Sequence, residues 1–272
     1  MKLKKIGELY KTNLENKFIS SKDKDISQLL INLINVSLDY VKSEINPESL
    51  HSIYLRGSCL KRDVTDKSIS DLDIDVVLHD NSFKYYAMND GYKEKIIDKM
   101  NKLYGFSLYP DVVYYSKSYW SSHIESCIFR FQSKKIEGIE DLSITSLDID
   151  EVILYQQKLM KRVYDQYFSR PWNRNFYSNT LIKRFYRICG GLELLKNGRF
   201  SLDIYYCYTA LVEKYPQHSD LLQELVRLYL TNCHVFSINP EEYDNLNKFE
   251  ETMRSILEIS RIEWNIIFGF IL

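Results

Sequence analysis

A Gly-Ser turn between two apolar runs, followed by an acidic strand, constrains this chain more than any other stretch. Ile53-Tyr54-Leu55 ends abruptly in Arg56-Gly57-Ser58, and Ser70-Asp71-Leu72-Asp73-Ile74-Asp75 later runs into Val76-Val77-Leu78. Alternation at period two places Asp71, Asp73 and Asp75 on one face of a strand and Leu72 and Ile74 on the other. Three carboxylates on one face repel one another unless a cation or hydrogen-bond donors stand beside them. A hard dication held by few carboxylates plus phosphate oxygens is the usual resident of such a place. The glycine lets backbone come close to a ligand, and the amides after it, at a helix start, can hold a phosphate. The competing reading is a solvated acidic strand end with an incidental cation.

The elements around this stretch follow from hydrophobic periodicity. Ile26, Leu29, Leu30, Leu33, Ile34, Val41 and Ile45 recur at helical spacing, which predicts an amphipathic helix over 25–45 that ends near Asn46-Pro47. Strands are expected at 52–56, 72–79 and 108–115, with a helix at 90–103 ended by Gly105. Residues 120–131 fit either helix or strand, and the first twenty residues read as a polar, basic arm or short helix. After about residue 145 the strand patterns stop. Helices are expected at 148–168, 175–195, 202–214, 219–231 and 241–267, with breaks at Asn197-Gly198, Pro216 and Pro240.

A Gly-Ser turn followed by Asp-x-Asp on the next strand resembles the nucleotidyltransferase superfamily typified by DNA polymerase beta. The wording YLRGS…SDLDIDVV is most similar to bacterial adenylyltransferases that act on aminoglycosides and lincosamides, and residues 132–142 resemble a loop that follows the sheet in those enzymes. The resemblance implies an α+β chain: a nucleotidyltransferase domain with a mixed sheet flanked by helices over 1–145, then a helical substrate-binding bundle over 146–272. It implies a third carboxylate from a neighbouring strand, a role it carries to Asp111. It also implies ATP or another nucleoside triphosphate as donor, two Mg2+ ions, and pyrophosphate as leaving group.

Geometry narrows the ligand set without closing it. Aspartates two apart on one strand face stand about 6.6 Å apart, a span that two ions about 4 Å apart can bridge, whereas Asp71 and Asp75 stand about 13 Å apart. Either Asp71/Asp73 or Asp73/Asp75 is therefore the working pair; the Ser-Asp-x-Asp wording favours the former, and Asp73 belongs to both. Asp71, Asp73 and Asp111 are the expected metal ligands and catalytic groups, with Asp111 binding on the acceptor side or removing the acceptor proton. Gly57 and Ser58 are expected to hold the terminal phosphates, and Lys61 and Arg62 stand where a cation could reach the same oxygens.

Charge separates the two parts of the helical half. Residues 158–199 hold ten Lys and Arg against Asp165 and Glu193, whereas residues 200–272 hold eleven acids against five bases. Lys183 and Arg187 share a helix face at i, i+4 and are the expected phosphate contacts. The acidic remainder suits a cationic small-molecule acceptor, with Glu193 and Asp203 as loosely placed candidates. An alternative acceptor is RNA or protein, as in toxin-like enzymes. It rests on Tyr164, Tyr167, Phe168, Trp172, Phe176, Tyr177, Phe185 and Tyr186 interleaved with arginines. A non-catalytic nucleotide sensor is the third reading. Five scattered cysteines without a Cys-x-x-Cys pair indicate reduced thiols and a cytoplasmic location. The net charge of −1 implies no global nucleic-acid or membrane field, and neither a signal peptide nor a membrane span is expected.

Overall fold

The apolar runs on either side of the Gly-Ser turn become neighbouring strands. The structure, a computed structural model, describes residues 3, 7–20, 28–60, 71–83, 91–105, 109–168, 179–230 and 240–269. In chain order its elements begin with β1 (Tyr10–Lys11), β2 (Lys17–Ile19), α1 (Gln28–Glu44), β3 (Leu50–Arg56), β4 (Asp71–Leu78), α2 (Asp80–Phe83) and α3 (Gly91–Tyr104). β5 (Tyr109–Ser116), α4 (Lys117–Ser122), α5 (Ile124–Gln132), β6 (Lys134–Gly138) and β7 (Ser146–Asp148) come next. The helical part holds α6 (Ile149–Val163), α7 (Asn179–Lys196), β8 (Arg199–Phe200), α8 (Ile204–Lys214), α9 (Ser219–Leu230) and α10 (Pro240–Phe268). These elements group into two compact units, Ile19–Leu147 and Met1–Phe18 with Asp148–Leu272.

In the first unit a four-stranded sheet runs in the order β5-β4-β3-β6. β4 is antiparallel to β3 and parallel to β5, and β6 is antiparallel to β3. One face carries Ile53, Leu55, Leu72, Ile74, Val76, Leu78 and Val112, packed with Leu30, Leu33, Ile34 and Val41 of α1 and Ile96 and Met100 of α3. Burying a side chain of this size stabilises by about 1.5–3 kcal/mol, which is why the period-two and helical patterns pair so firmly. On the opposite face Tyr54, Val77 and Trp120 cluster with Tyr115, Phe129 and Leu142. The Tyr54 hydroxyl accepts from the Leu142 amide at 2.8 Å.

Trp120 and Phe129 come from the stretch whose pattern fitted helix or strand. It forms two short helices because each has a side-chain cap. Ser116 Oγ accepts from the Tyr119 amide at 3.2 Å, and His123 Nδ1 accepts from the Glu125 amide at 3.3 Å. Residues 132–142, read as a loop, contain the strand β6. It lies at the sheet edge, where its charges Lys134, Lys135 and Glu137 are tolerated, and Glu137 pairs with Lys42 of α1.

His51, at the start of β3, is buried, with Nδ1 2.9 Å from Ser52 Oγ and its ring edge-on to His79 at 5.3 Å. Burial, joined by Lys117 and His79, pushes its pKa below the ordinary 6.5, although Glu140 opposes the shift. The unfolded chain then binds the proton more readily, so this contribution is complete above pH 6.5 and declines as pH falls toward the folded value. Urea unfolding between pH 7.5 and 5 should show this loss, smaller in His51→Asn protein; an equal loss in both would assign it to other groups.

In the second unit α7 is the central helix. Leu181, Ile182, Phe185, Tyr186, Ile188, Cys189 and Leu192 are all buried, and α7 packs on α6, α8, α9 and α10. Tyr186 donates its hydroxyl to the Leu222 carbonyl at 2.6 Å. Gly190 marks the closest approach of α7 to α8, where a Cβ would lie 2.1 Å from the Cys207 carbonyl oxygen. Alanine is favoured over glycine in a helix by about 1 kcal/mol, but overpacking typically costs 1–3 kcal/mol. The obstacle is backbone, so overpacking wins. Gly190→Ala is expected to lower the unfolding midpoint; a raised midpoint would show that the helices separate freely.

The N-terminal segment differs from the reading that placed residues 1–145 together. β1 pairs with β8, Tyr10 opposite Phe200, and the two rings stack at 5.9 Å. Phe18 is fully buried, 5.5 Å from the Phe200 ring. Aromatic burial therefore ties this segment to the helical unit. Cys59, Cys127, Cys189 and Cys207 are buried free thiols; Cys233 lies outside the described residues. Among the described residues no helix is long and apolar enough to cross a membrane.

Candidate active site

Strand register brings the acidic residues together. Asp73 of β4 is the partner of Asp111 on the parallel neighbour β5 and of Arg56 on the antiparallel neighbour β3. Cross-strand partners share a face and lie about 4.8 Å apart between strands. Asp71 follows on the same face of β4, opposite Tyr109. Asp71 and Asp111 are half-buried, and the Asp73 side chain is 14% exposed.

Asp75, on the same face, has a different environment. Its side chain is fully buried, and Arg56 grips it through Nε to Oδ2 at 2.8 Å and Nη2 to Oδ1 at 3.2 Å. Burial raises the Asp75 carboxyl above its ordinary range, and Arg56 pulls it back. Desolvation opposes the charge on Arg56, but Asp75 and Asp73 outweigh it and raise its pKa. Both shifts belong to one tightly coupled pair; two direct bonds in a desolvated setting favour its charged form. Asp75 is thus occupied by a protein cation, whereas Asp71 and Asp73 stand nearer solvent.

Gly57 closes the site from the β3 side. Its φ of +85° is a conformation that L side chains rarely adopt, and a Cβ there would fall 1.9 Å from Asp73 Oδ2. Ser58 opens a short 3₁₀ turn, Ser58–Leu60. Gly57→Ala is expected to cost about 1–2 kcal/mol through backbone conformation alone and to displace the Asp73 carboxylate. The rate of any reaction at this site should fall further than the stability; a rate that merely tracks the folded fraction would contradict this. Burial, with Asp73 and Asp71 adding, pushes the Cys59 thiol up to about 12, so Cys59 is no nucleophile.

Among the described residues no three His, Cys, Asp or Glu side chains converge as a ready-made cage for one ion. The donors that do share the face are all carboxylates, which suits a hard ion completed by phosphate oxygens and water, and does not suit zinc. Magnesium fits this donor chemistry.

Lys183, Arg187, Glu193 and Asp203 belong to the helical unit. Lys183 and Arg187 are half-buried on α7 of the helical unit, where Arg187 Nε donates to the Leu202 carbonyl at 2.8 Å. Glu193 pairs with Lys196 at 2.7 Å, and Lys196 also reaches Glu263 at 2.6 Å. Asp203 caps α8, accepting from the Tyr205 amide at 2.9 Å and also from Gly7. These contacts give Glu193 and Asp203 structural roles. Phe168, Phe185 and Tyr186 are buried, so they are core and not a stacking platform for RNA. Tyr164 lies under the Arg261 guanidinium at 4.5 Å. Lys61, Arg62, Trp172, Phe176, Tyr177 and the Tyr167 side chain lie outside the described residues. Arg56 is the site residue that sequence reasoning missed; its position directly before Gly57 was the available signal.

The mixed sheet and the C-terminal helices have a counterpart among solved structures. Among solved structures the chain is similar to spectinomycin adenyltransferase AAD(9) from Enterococcus faecialis with ATP and spectinomycin. The TM-score is 0.52 at 17% identity, over 84% of this chain and 99% of that one. Slighter likenesses, too low to bear an argument, join it to a toxin-antitoxin with AMP-PNP (TM-score 0.28, 21% identity, 47% of this chain, 90% of that one). The tri-AMPylated Shewanella oneidensis HEPN toxin in complex with MNT antitoxin is a second such case (TM-score 0.25, 19% identity, 50% of this chain, 92% of that one). No protein-family model matches the chain, and no curated protein matches it by sequence.

Proposed function

We propose that this chain is a metal-dependent nucleotidyltransferase that moves AMP from ATP to a hydroxyl of a small-molecule acceptor of the aminoglycoside or lincosamide kind. The observation that carries the reading is the register pair of Asp73 and Asp111 beside the Gly57-Ser58 turn. The similar fold solved with ATP and spectinomycin supports a triphosphate donor and a small acceptor.

Asp71 and Asp73 would hold Mg2+, with Asp111 completing the set on the acceptor side. Bound there, the metal supplies positive charge to phosphate oxygens as charge shifts in the transition state. The amides following Gly57 hold the terminal phosphates and orient the α-phosphorus for in-line attack. The acceptor oxygen bonds to that phosphorus while the bond to the bridging α–β oxygen breaks. Pyrophosphate departs with the electron pair, and the hydroxyl proton passes to the Asp111 carboxylate.

The test is pyrophosphate release from ATP and Mg2+ against panels of aminoglycosides, including spectinomycin, lincosamides and bulk tRNA. Release that depends on one antibiotic is the expected result. Release with tRNA alone would transfer the acceptor to nucleic acid, and silence with every nucleotide and acceptor would overturn the reading.

A further inference from the structure

We propose that Arg56 is a positioning residue that holds the Asp73 carboxylate in its working orientation. The inference rests on the nucleotidyltransferase reading and adds a residue to it. Arg56 is the cross-strand partner of Asp73, so both side chains rise from the same face of the sheet. Its guanidinium is fixed on three sides. Nε and Nη2 are bonded to the buried Asp75, the ring of Phe129 lies 4.7 Å from the guanidinium carbon, and Nη1 stands 3.6 Å from Asp73 Oδ1. That last distance is too long for a hydrogen bond, so the contact is one of charge and shape.

The second oxygen of Asp73 faces the position where a Gly57 Cβ would stand. Two consecutive residues at the end of β3 therefore bracket the carboxylate, Arg56 at Oδ1 and Gly57 at Oδ2. Asp75 is the anchor of this arrangement: it holds the planar fork from below and leaves one edge turned to Asp73. The pair is neutral as a unit, so it orients the ligand without adding net charge beside a bound dication. A lysine could reproduce the charge but not the fork, because an ammonium group cannot bond Asp75 in two places and still present a fixed edge.

The decisive variant is the double substitution Arg56→Met with Asp75→Leu, which removes the buried pair together and leaves no uncompensated charge. Two readouts are taken beside wild type: Mn2+ affinity by electron paramagnetic resonance with a nonhydrolysable ATP analogue, and kcat and KM for ATP in pyrophosphate release. Groups that orient a metal ligand change affinity or activity by about 10–100-fold when removed. The expected result is a loss of that size in Mn2+ affinity and in kcat, with KM for ATP changed less than about threefold. Arg56→Lys should shift both in the same direction. A folded double variant with wild-type Mn2+ affinity and kcat would overturn the inference and leave Arg56 a purely structural partner of Asp75. If that variant does not fold, wild-type values in Arg56→Lys protein overturn it equally. If wild type binds Mn2+ but no acceptor turns over, the Mn2+ measurement alone decides. Wild-type protein that neither binds Mn2+ nor releases pyrophosphate sinks the underlying reading itself, a result distinct from failure of the Arg56 assignment.

Discussion

Asp73→Asn protein is expected to fold with an unchanged or raised unfolding midpoint and, under the proposed function, to release pyrophosphate about 10²–10³-fold more slowly. The substitution keeps the volume of the side chain and removes one negative charge. Asp71 and Asp111 stand beside it, so the free protein loses repulsion between carboxylates, while the charge that attracts a dication is weakened. Functional residues of this type typically lower stability in exchange for activity, and the two measurements should separate accordingly. The informative comparison is Asp75→Asn, two positions along the same strand face. That side chain is fully buried and bonded twice to Arg56, so its loss should appear first as reduced stability. Near-normal turnover in Asp73→Asn protein, with an abolished rate in well-folded Asp75→Asn protein, would reverse the assignment of the working pair to Asp71 and Asp73.

Arg56→Met carries the largest expected effect on stability. Alone it leaves the Asp75 carboxylate buried without its cation, and breaking a buried pair from one side costs about 3–5 kcal/mol. Whole domains are stable by only about 5–15 kcal/mol, so the loss is a large part of the total. Chemical denaturation followed by circular dichroism would read it as a lower midpoint. The double variant with Asp75→Leu should recover most of the loss, because a buried ion pair replaced by apolar groups is often neutral in stability. Equal destabilisation in the single and double variants would mean that Arg56 contributes packing, through Phe129 for example, and not charge compensation.

Much of the fold was legible in advance because burial imposes a period. Leu29, Leu30, Leu33, Ile34 and Val41 recur as one face of α1, and the alternation through 71–78 is that of β4, with Leu72, Ile74, Val76 and Leu78 on one face and Asp71, Asp73 and Asp75 on the other. The helices after residue 145 were legible for the same reason. β6 was not, because a five-residue edge strand rich in Lys and Glu has neither an apolar face nor a length that distinguishes it from a loop. The short strand β1 escaped for a similar reason: two residues hold no period, and the aromatic partner Phe200 lies far along the chain.

The site divides along the same line. By itself the sequence determined that Asp71, Asp73 and Asp75 share a strand face and that a Gly-Ser turn precedes them, since strand geometry alone requires the first and chain order the second. It also marked Asp111 as the acid at the start of a later strand. Only the tertiary structure decided that Asp111 stands beside Asp73, because a parallel register depends on how two strands pack under α1 and α3 and is written in neither strand. Only the tertiary structure decided which aspartate is taken by Arg56. Pairing Arg56 with Asp73 across the strands aims its long side chain past that residue to Asp75, whose complete burial makes a partner cation obligatory.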